Sequence, residues 1–185
     1  FRTEGVAEYI SGIILFDETI RQNGAEGTPL VKVLLDQGII PGIKVDKGGQ
    51  PLPGSPKEIV TNGLDGLTDR LDEYASLGAR FTKWRGVISI DDGIPTRHCI
   101  DTNAHALARF AALSQKSGLV PIVEPEVLMD GSHDIDQCFE VTESTLREVF
   151  YQLAQHNVSL EGCLLKPNMV LSGGSAVNRA GAEEV

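Results

Sequence analysis

Five short, apolar, β-rich runs alternate with four segments of helical periodicity along the chain, and this alternation restricts the possible folds more than any other feature. The runs are ISGIILF (10–16), IIPGIKV (39–45), RFTKWRGVISI (80–90), LVPIVEPEV (119–127) and LEGCLLKPNMV (160–170). Between them, apolar residues recur at three- and four-residue spacing, as on one face of a helix. Leu30, Val33 and Leu34 mark the first such face. Leu64, Leu67, Leu71 and Tyr74 mark the second, with Asp65 placed to cap it. Ile100, Ala104, Leu107, Ala108 and Ala111 mark the third, and Val141, Leu146, Val149, Phe150 and Leu153 the fourth. Gly38, Gly78 and Gly118 close the first three helices, where a left-handed backbone favours glycine. From the second run onward the strand starts recur about 40 residues apart.

Alternating β and α elements imply a parallel sheet. Two architectures satisfy that order: an open doubly wound sheet and a (β/α)8 barrel. No G-x-G-x-x-G follows the first run, which weighs against a dinucleotide-binding sheet. A barrel needs eight units and about 250 residues. Five strands and four helices would therefore be part of one.

The 185 residues are 41% hydrophobic and 23% charged, the balance of an ordinary soluble domain. The net charge of −10 argues against a nucleic-acid partner, which calls for a basic face. No apolar stretch approaches the ~18 residues of a membrane helix, so no membrane partner is expected. The opening FRTEGVAEYI lacks the basic and apolar regions of a signal peptide, and the sequence starts without Met. Cys99, Cys138 and Cys163 are odd in number and form no C-x-x-C pair. They read as reduced thiols of a cytosol-like compartment.

Strands of a parallel sheet are buried on both faces and should be almost wholly apolar. Four of these five carry charge near their C-terminal ends: Lys44 and Asp46, Lys83 and Arg85, Glu124 and Glu126, and Lys166. Spacing of i, i+2 puts both members of each pair on one side of the strand. One charged residue at a strand end is an ordinary exit to solvent. Four strands repeating the feature with matched parity are not, because burying unpaired charge costs several kcal/mol per ion. Catalytic groups of a barrel come from the C-terminal ends of several strands. Lys44, Lys47, Lys83, Arg85 and Lys166 also gather cations within an acidic chain, which suits a small anion such as a sugar phosphate.

A lysine in an apolar strand can act as a Schiff-base nucleophile. At the ordinary pKa of about 10.4, only about one lysine in 2,500 is neutral at pH 7. Desolvation and a neighbouring cation both lower that pKa. For Lys166, the strand core would supply the first and Lys83 the second. Glu124 is placed to move protons during carbinolamine formation and dehydration. Arg85 offers a fork of donors for phosphate and Lys44 a point charge. His98, His105, His133 and His156 have no zinc-like spacing. His98 and His105 share a solvent-facing helix side, and only His133, following the fourth run, could approach the site. LSGGSA (171–176) resembles a phosphate-cradling loop but lacks the P-loop context; it is expected to be a flexible loop.

With these residues assembled, the chain closely resembles class I fructose-bisphosphate aldolase. VSLEGCLLKPN (158–168) is similar to that family's signature around its Schiff-base lysine. GIKVDKG (42–48), GLDGL (63–67), KWR (83–85), GLVPIVEPE (118–126) and DGSHDI (130–135) follow in the family's order. The resemblance implies Lys166 as nucleophile, Glu124 as proton shuttle, Lys83 as a charge-stabilising catalytic residue and Glu126 as support for this network. It implies Lys44, Asp46, Lys83 and Arg85 as substrate-binding residues. The fold it implies is an α/β (β/α)8 TIM barrel. Residues 1–185 would then be a partial single catalytic domain, without the first and last strands. An aspartate on the first strand, a Ser-Gly-Gly loop, a phosphate-gripping arginine and a C-terminal tyrosine would lie outside them, so these residues alone should be inactive. The implied reaction is reversible cleavage of fructose 1,6-bisphosphate to dihydroxyacetone phosphate and glyceraldehyde 3-phosphate, with no metal or other cofactor. The implied assembly is a homotetramer, cytoplasmic, with a plastid left open. Another Schiff-base lyase on a related phosphosugar or keto acid, and a non-catalytic scaffold keeping the fold, are the alternatives.

Overall fold

Strand order decides between the two architectures. The computed structural model describes residues 3, 5–24 and 26–185. Its main sheet holds β1 (Gly12–Leu15), β2 (Ile40–Lys44), β5 (Phe81–Ile88), β6 (Val120–Val127) and β7 (Leu164–Leu165). They are hydrogen-bonded in the order β1-β2-β5-β6-β7, and every pairing is parallel. Spatial order follows chain order without reversal. A doubly wound sheet reverses at a switch point; a barrel does not. The register also steps as barrel closure requires. Ile40 of β2 opens against Gly12 of β1, but the β5 pairing starts two residues later, at Gly42 against Phe81. A second step of two occurs where Leu164 opens against Ile122 rather than Val120. The sheet is thus a consecutive arc of a (β/α)8-type barrel.

Helices α2 (Leu30–Asp36), α3 (Leu67–Leu77), α4 (Arg97–Lys116) and α5 (Ile135–Gln155) connect the strands. On β5 the buried residues are Thr82, Trp84, Gly86 and Ile88, alternating with half-buried Phe81, Lys83, Arg85 and Val87. The first set faces α4: a Cβ on Gly86 would lie 3.2 Å from Leu107, and the Trp84 and Phe110 rings stack with centroids 5.6 Å apart. The second set faces the barrel interior. There the Phe81 ring lies so close over Gly42 that a Cβ would meet it at 2.2 Å. Glycine at 42 therefore lets an aromatic ring fill the interior on the N-terminal side of the lysines.

Gly38, Gly78 and Gly118 end their helices with φ of +78°, +110° and +72°, the left-handed geometry expected of them. Asp65 does not cap α3; that helix starts at Leu67 behind Gly66, whose φ is +62°, with no side-chain cap. The fifth strand shrinks to two residues, with a 3-10 turn over Leu160–Gly162 before it, and lies at the edge of the described sheet. A short helix, α1 (Asp17–Ile20), and an antiparallel hairpin of β3 (Gly49–Leu52) and β4 (Ser55–Thr61) were not expected from the periodicity. The hairpin is joined to α4 by the buried Glu58 carboxylate, which accepts bonds from Ser55 Oγ at 2.6 Å and Thr96 N at 2.7 Å.

Candidate active site

The charged strand ends meet at one place. In register, Lys44 of β2 lies opposite Lys83 of β5, and Arg85 of β5 opposite Glu124 of β6. Matched parity turns all of them toward the barrel interior, as the i, i+2 spacing predicted. Glu124 is the centre of the cluster. One of its carboxylate oxygens is ion-paired with Lys83 Nζ and the other with Lys166 Nζ. Arg85 Nε pairs with Glu126, and Lys44 Nζ with Asp46. Asp46 is tied further: its second oxygen accepts the Arg85 N–H at 3.4 Å. Four cations and three carboxylates leave one net positive charge, a milder excess than the cations alone implied.

Burial divides the two amines that share Glu124. The Lys83 side chain is 12% exposed and Glu124 5%, whereas Lys166 is 61% exposed. The desolvation expected for Lys166 falls on Lys83 instead. The reason is position: Lys83 lies mid-sheet between β2 and β6, while Lys166 leaves β7 at the sheet edge. Burial holds the Lys83 amine below the usual lysine pKa, with Lys44, Arg85 and Lys166 reinforcing the shift and Asp46 opposing it. Desolvation disfavours the ammonium, so the amine becomes neutral at lower pH. Competitive acylation across a pH series should therefore give Lys83 a midpoint below the ordinary lysine value of about 10.4. A midpoint at or above that ordinary value would contradict the assignment.

Lys47 does not join the cluster. It lines a separate cleft of about 550 Å³ between the hairpin, Asn62–Asp65 and α4, beside His105 and Arg109. Its odd offset from Lys44 turns it away, a parity test that was available in the sequence. His98 and His105 are exposed on α4, as expected. His133 is buried, 4% exposed, in the loop after β6. Among the described residues, no three His, Cys, Asp or Glu side chains are grouped to hold a metal ion. The LSGGSA segment is not a free loop. The amides of Gly173, Gly174 and Ser175 donate to the carbonyls of His133, Met129 and Gly131 at 2.8, 2.7 and 2.8 Å. Spent in this way, they are not available to cradle a phosphate.

Asn168 escaped notice in the sequence. Two residues beyond Lys166, its Oδ1 accepts the Val127 N–H at 3.0 Å and its Nδ2 donates to Thr142 Oγ1 at 3.0 Å. A polar residue at the parity of Lys166 was the one available signal.

Chemically, the arrangement offers an accessible amine, a buried carboxyl group bridging it to a second, desolvated amine, and a guanidinium and ammonium at the rim. The family model for "Fructose-bisphosphate aldolase class-I" matches residues 1–185. A probable fructose-bisphosphate aldolase class 1 of Xanthomonas campestris pv. campestris is 61% identical over 183 residues, covering 99% of this chain and 55% of that protein. A chloroplastic fructose-bisphosphate aldolase 2 of Arabidopsis thaliana is 54% identical over 181 residues, covering 98% of this chain and 45% of the plant protein. Fructose-bisphosphate aldolase from Plasmodium falciparum, solved in complex with TRAP and a small-molecule inhibitor, superposes with a TM-score of 0.96 at 48% identity, over 99% of this chain and 53% of that one. The chain thus spans about half the length of the relatives it matches.

Proposed function

Given that the chain belongs to the class I fructose-bisphosphate aldolase family, we propose that its protein reversibly cleaves fructose 1,6-bisphosphate through a Schiff base on Lys166. The observation that carries this reading is the Lys166–Glu124–Lys83 bridge at the C-terminal ends of three adjacent strands. A ketone needs an amine it can reach. Lys166 is the exposed member of the pair, and Glu124 touches its nitrogen.

The neutral Lys166 amine attacks the C2 carbonyl of the open-chain sugar, forming a C–N bond. Glu124 takes the proton of the new ammonium and passes it to the C2 oxyanion, giving the neutral carbinolamine; a second proton, drawn from solvent and delivered by Glu124, lets the C2 hydroxyl leave as water. The product is a protonated iminium. The C4 hydroxyl then loses its proton to a base that the family resemblance assigns to an aspartate outside these residues. The C3–C4 bond breaks, its electron pair flows toward the iminium nitrogen, and glyceraldehyde 3-phosphate departs. Protonation of the enamine at C3 and hydrolysis release dihydroxyacetone phosphate and free Lys166. Lys83, held as a cation by Glu124 below its depressed pKa, offsets the charge developing on oxygen. Arg85 and Lys44 receive the phosphates, with Asp46 fixing Lys44 and Glu126 fixing Arg85.

No metal or other cofactor enters this scheme, since the iminium is the electron sink. Assembly as a homotetramer, with a small phosphosugar as the partner molecule, rests on family membership. No helix of the described residues is long and apolar enough to cross a membrane. A cytoplasmic location is proposed, with a plastid kept open by the chloroplastic Arabidopsis relative.

The substrate assignment is tested by cleavage rates of the protein expressed from its complete coding sequence. Fructose 1,6-bisphosphate should give the highest kcat/KM, fructose 1-phosphate a lower one, and an unphosphorylated 2-keto acid almost none. Preference for the keto acid would favour a different lyase on the same barrel.

A further inference from the structure

β7 is too short to fix the residue that follows it. Only Leu164 and Leu165 pair with β6, and one more backbone bond, Lys166 N–H to the Val123 carbonyl at 2.9 Å, closes the ladder. The next rung would run from the N–H of residue 125 to the Lys166 carbonyl, but residue 125 is proline and has no N–H to donate, so the backbone ladder stops there. Within residues 1–185 the Lys166 side chain is 61% exposed, and its ammonium contacts Glu124. Something else must set the course of the chain just after the amine.

Asn168 fills that place. Its Oδ1 accepts the Val127 N–H at 3.0 Å, tying the chain to β6 one residue beyond Glu126. Its Nδ2 donates to Thr142 Oγ1 on α5 and to its own neighbour's carbonyl at Met169, both at 3.0 Å. The carboxamide thus takes the Val127 N–H that the strand backbone would otherwise meet and anchors the chain to the outer helix layer. Upstream, the Gln115 carboxamide at the end of α4 does the same for the entry to β7. Its Nε2 donates to the carbonyls of Ser159 at 2.7 Å and Gly162 at 3.1 Å, and its Oε1 accepts the Ser159 N–H at 3.0 Å. We infer that Asn168 is a positioning residue that aims Lys166 at Glu124, by re-tying the chain to β6 where the backbone ladder stops after Lys166. This rests on the reading of Lys166 as nucleophile.

Displacement of a reacting group by an ångström costs about 10²-fold in rate, so Asn168→Ala in the complete protein should lower kcat about 10- to 100-fold with KM within about twofold. Its rate of borohydride-trapped adduct formation at Lys166 with dihydroxyacetone phosphate should fall in proportion. Asn168→Asp, which keeps the oxygen facing Val127, should recover part of that trapping rate. A purely structural role would lower the melting temperature and leave kcat and trapping unchanged below it; that result overturns the inference. If the alanine variant does not fold, Thr142→Val decides. A several-fold lower kcat at unchanged melting temperature supports the inference, and an unchanged kcat overturns it. Wild-type protein that forms no adduct at Lys166 overturns the nucleophile assignment instead, and this inference with it.

Discussion

Replacing Lys166 with Met in the complete protein should abolish aldol cleavage, by ~10³-fold or more, while leaving the fold almost untouched. The two halves of that expectation come from different observations. Methionine nearly matches the aliphatic stem of the Lys166 side chain, so the exchange opens little cavity. Glu124 also keeps its second partner, Lys83, and is not left as an isolated buried charge. The chemistry has no comparable reserve. Without the amine there is no carbinolamine, no iminium and no electron sink for the C3–C4 bond pair. Lys83 is 12% exposed and lies deeper in the sheet; rescue by it would need the ketone to enter the strand layer. Steady-state cleavage rates together with denaturant midpoints check both halves. A variant that unfolds at lower denaturant yet keeps a tenth of its activity would reverse the assignment of roles.

Substitution of Glu124 should be harmful twice over. Glu124→Gln retains the shape of the side chain but can neither carry a proton between nitrogen and hydroxyl nor supply negative charge. Losing a positioned acid–base group costs about 10²- to 10⁴-fold in rate. The second effect falls on Lys83. Burial already depresses its pKa, and Lys44, Arg85 and Lys166 push the same way. With Glu124 gone, the carboxylate it touches is lost and the pKa falls further. Breaking a buried ion pair costs about 3–5 kcal/mol when the remaining charge is trapped; Lys83 can escape part of that by releasing its proton. The sign follows directly. Neutral Lys83 is favoured in the folded state and ammonium in the unfolded state, so the folded variant gains stability as pH rises toward the ordinary lysine pKa. Denaturant midpoints at pH 7 and pH 9 should therefore converge on wild type at the higher pH. A constant difference across that range would assign the loss to packing.

The alternation of elements was legible because each helix shows three- and four-residue spacing and three of the four end in glycine. The charge cluster was legible because period-two geometry leaves little freedom once a strand is fixed, which is why Lys83, Arg85, Glu124 and Glu126 meet as expected. What escaped the sequence has a physical pattern. The hairpin around Pro53–Gly54 carries no apolar alternation, so its pairing depends on Glu58 and α4 rather than on a local signal. Asp65 was read as a cap because of its residue type, but Gly66 takes the left-handed backbone that starts α3. The relative burial of Lys83 and Lys166 depends on which strands flank each one, and that is a property of the sheet. The Asn168 bridge joins residues 26 and 41 positions away, beyond the reach of periodicity.

The most direct test of this account is to identify the lysine that carries substrate. The complete protein is incubated with dihydroxyacetone phosphate, reduced with borohydride, digested, and its modified peptide sequenced by mass spectrometry. The account predicts a single covalent adduct, on Lys166 within LEGCLLKPNM. An adduct on Lys83, the buried amine with the depressed pKa, would contradict it, as would no adduct at all.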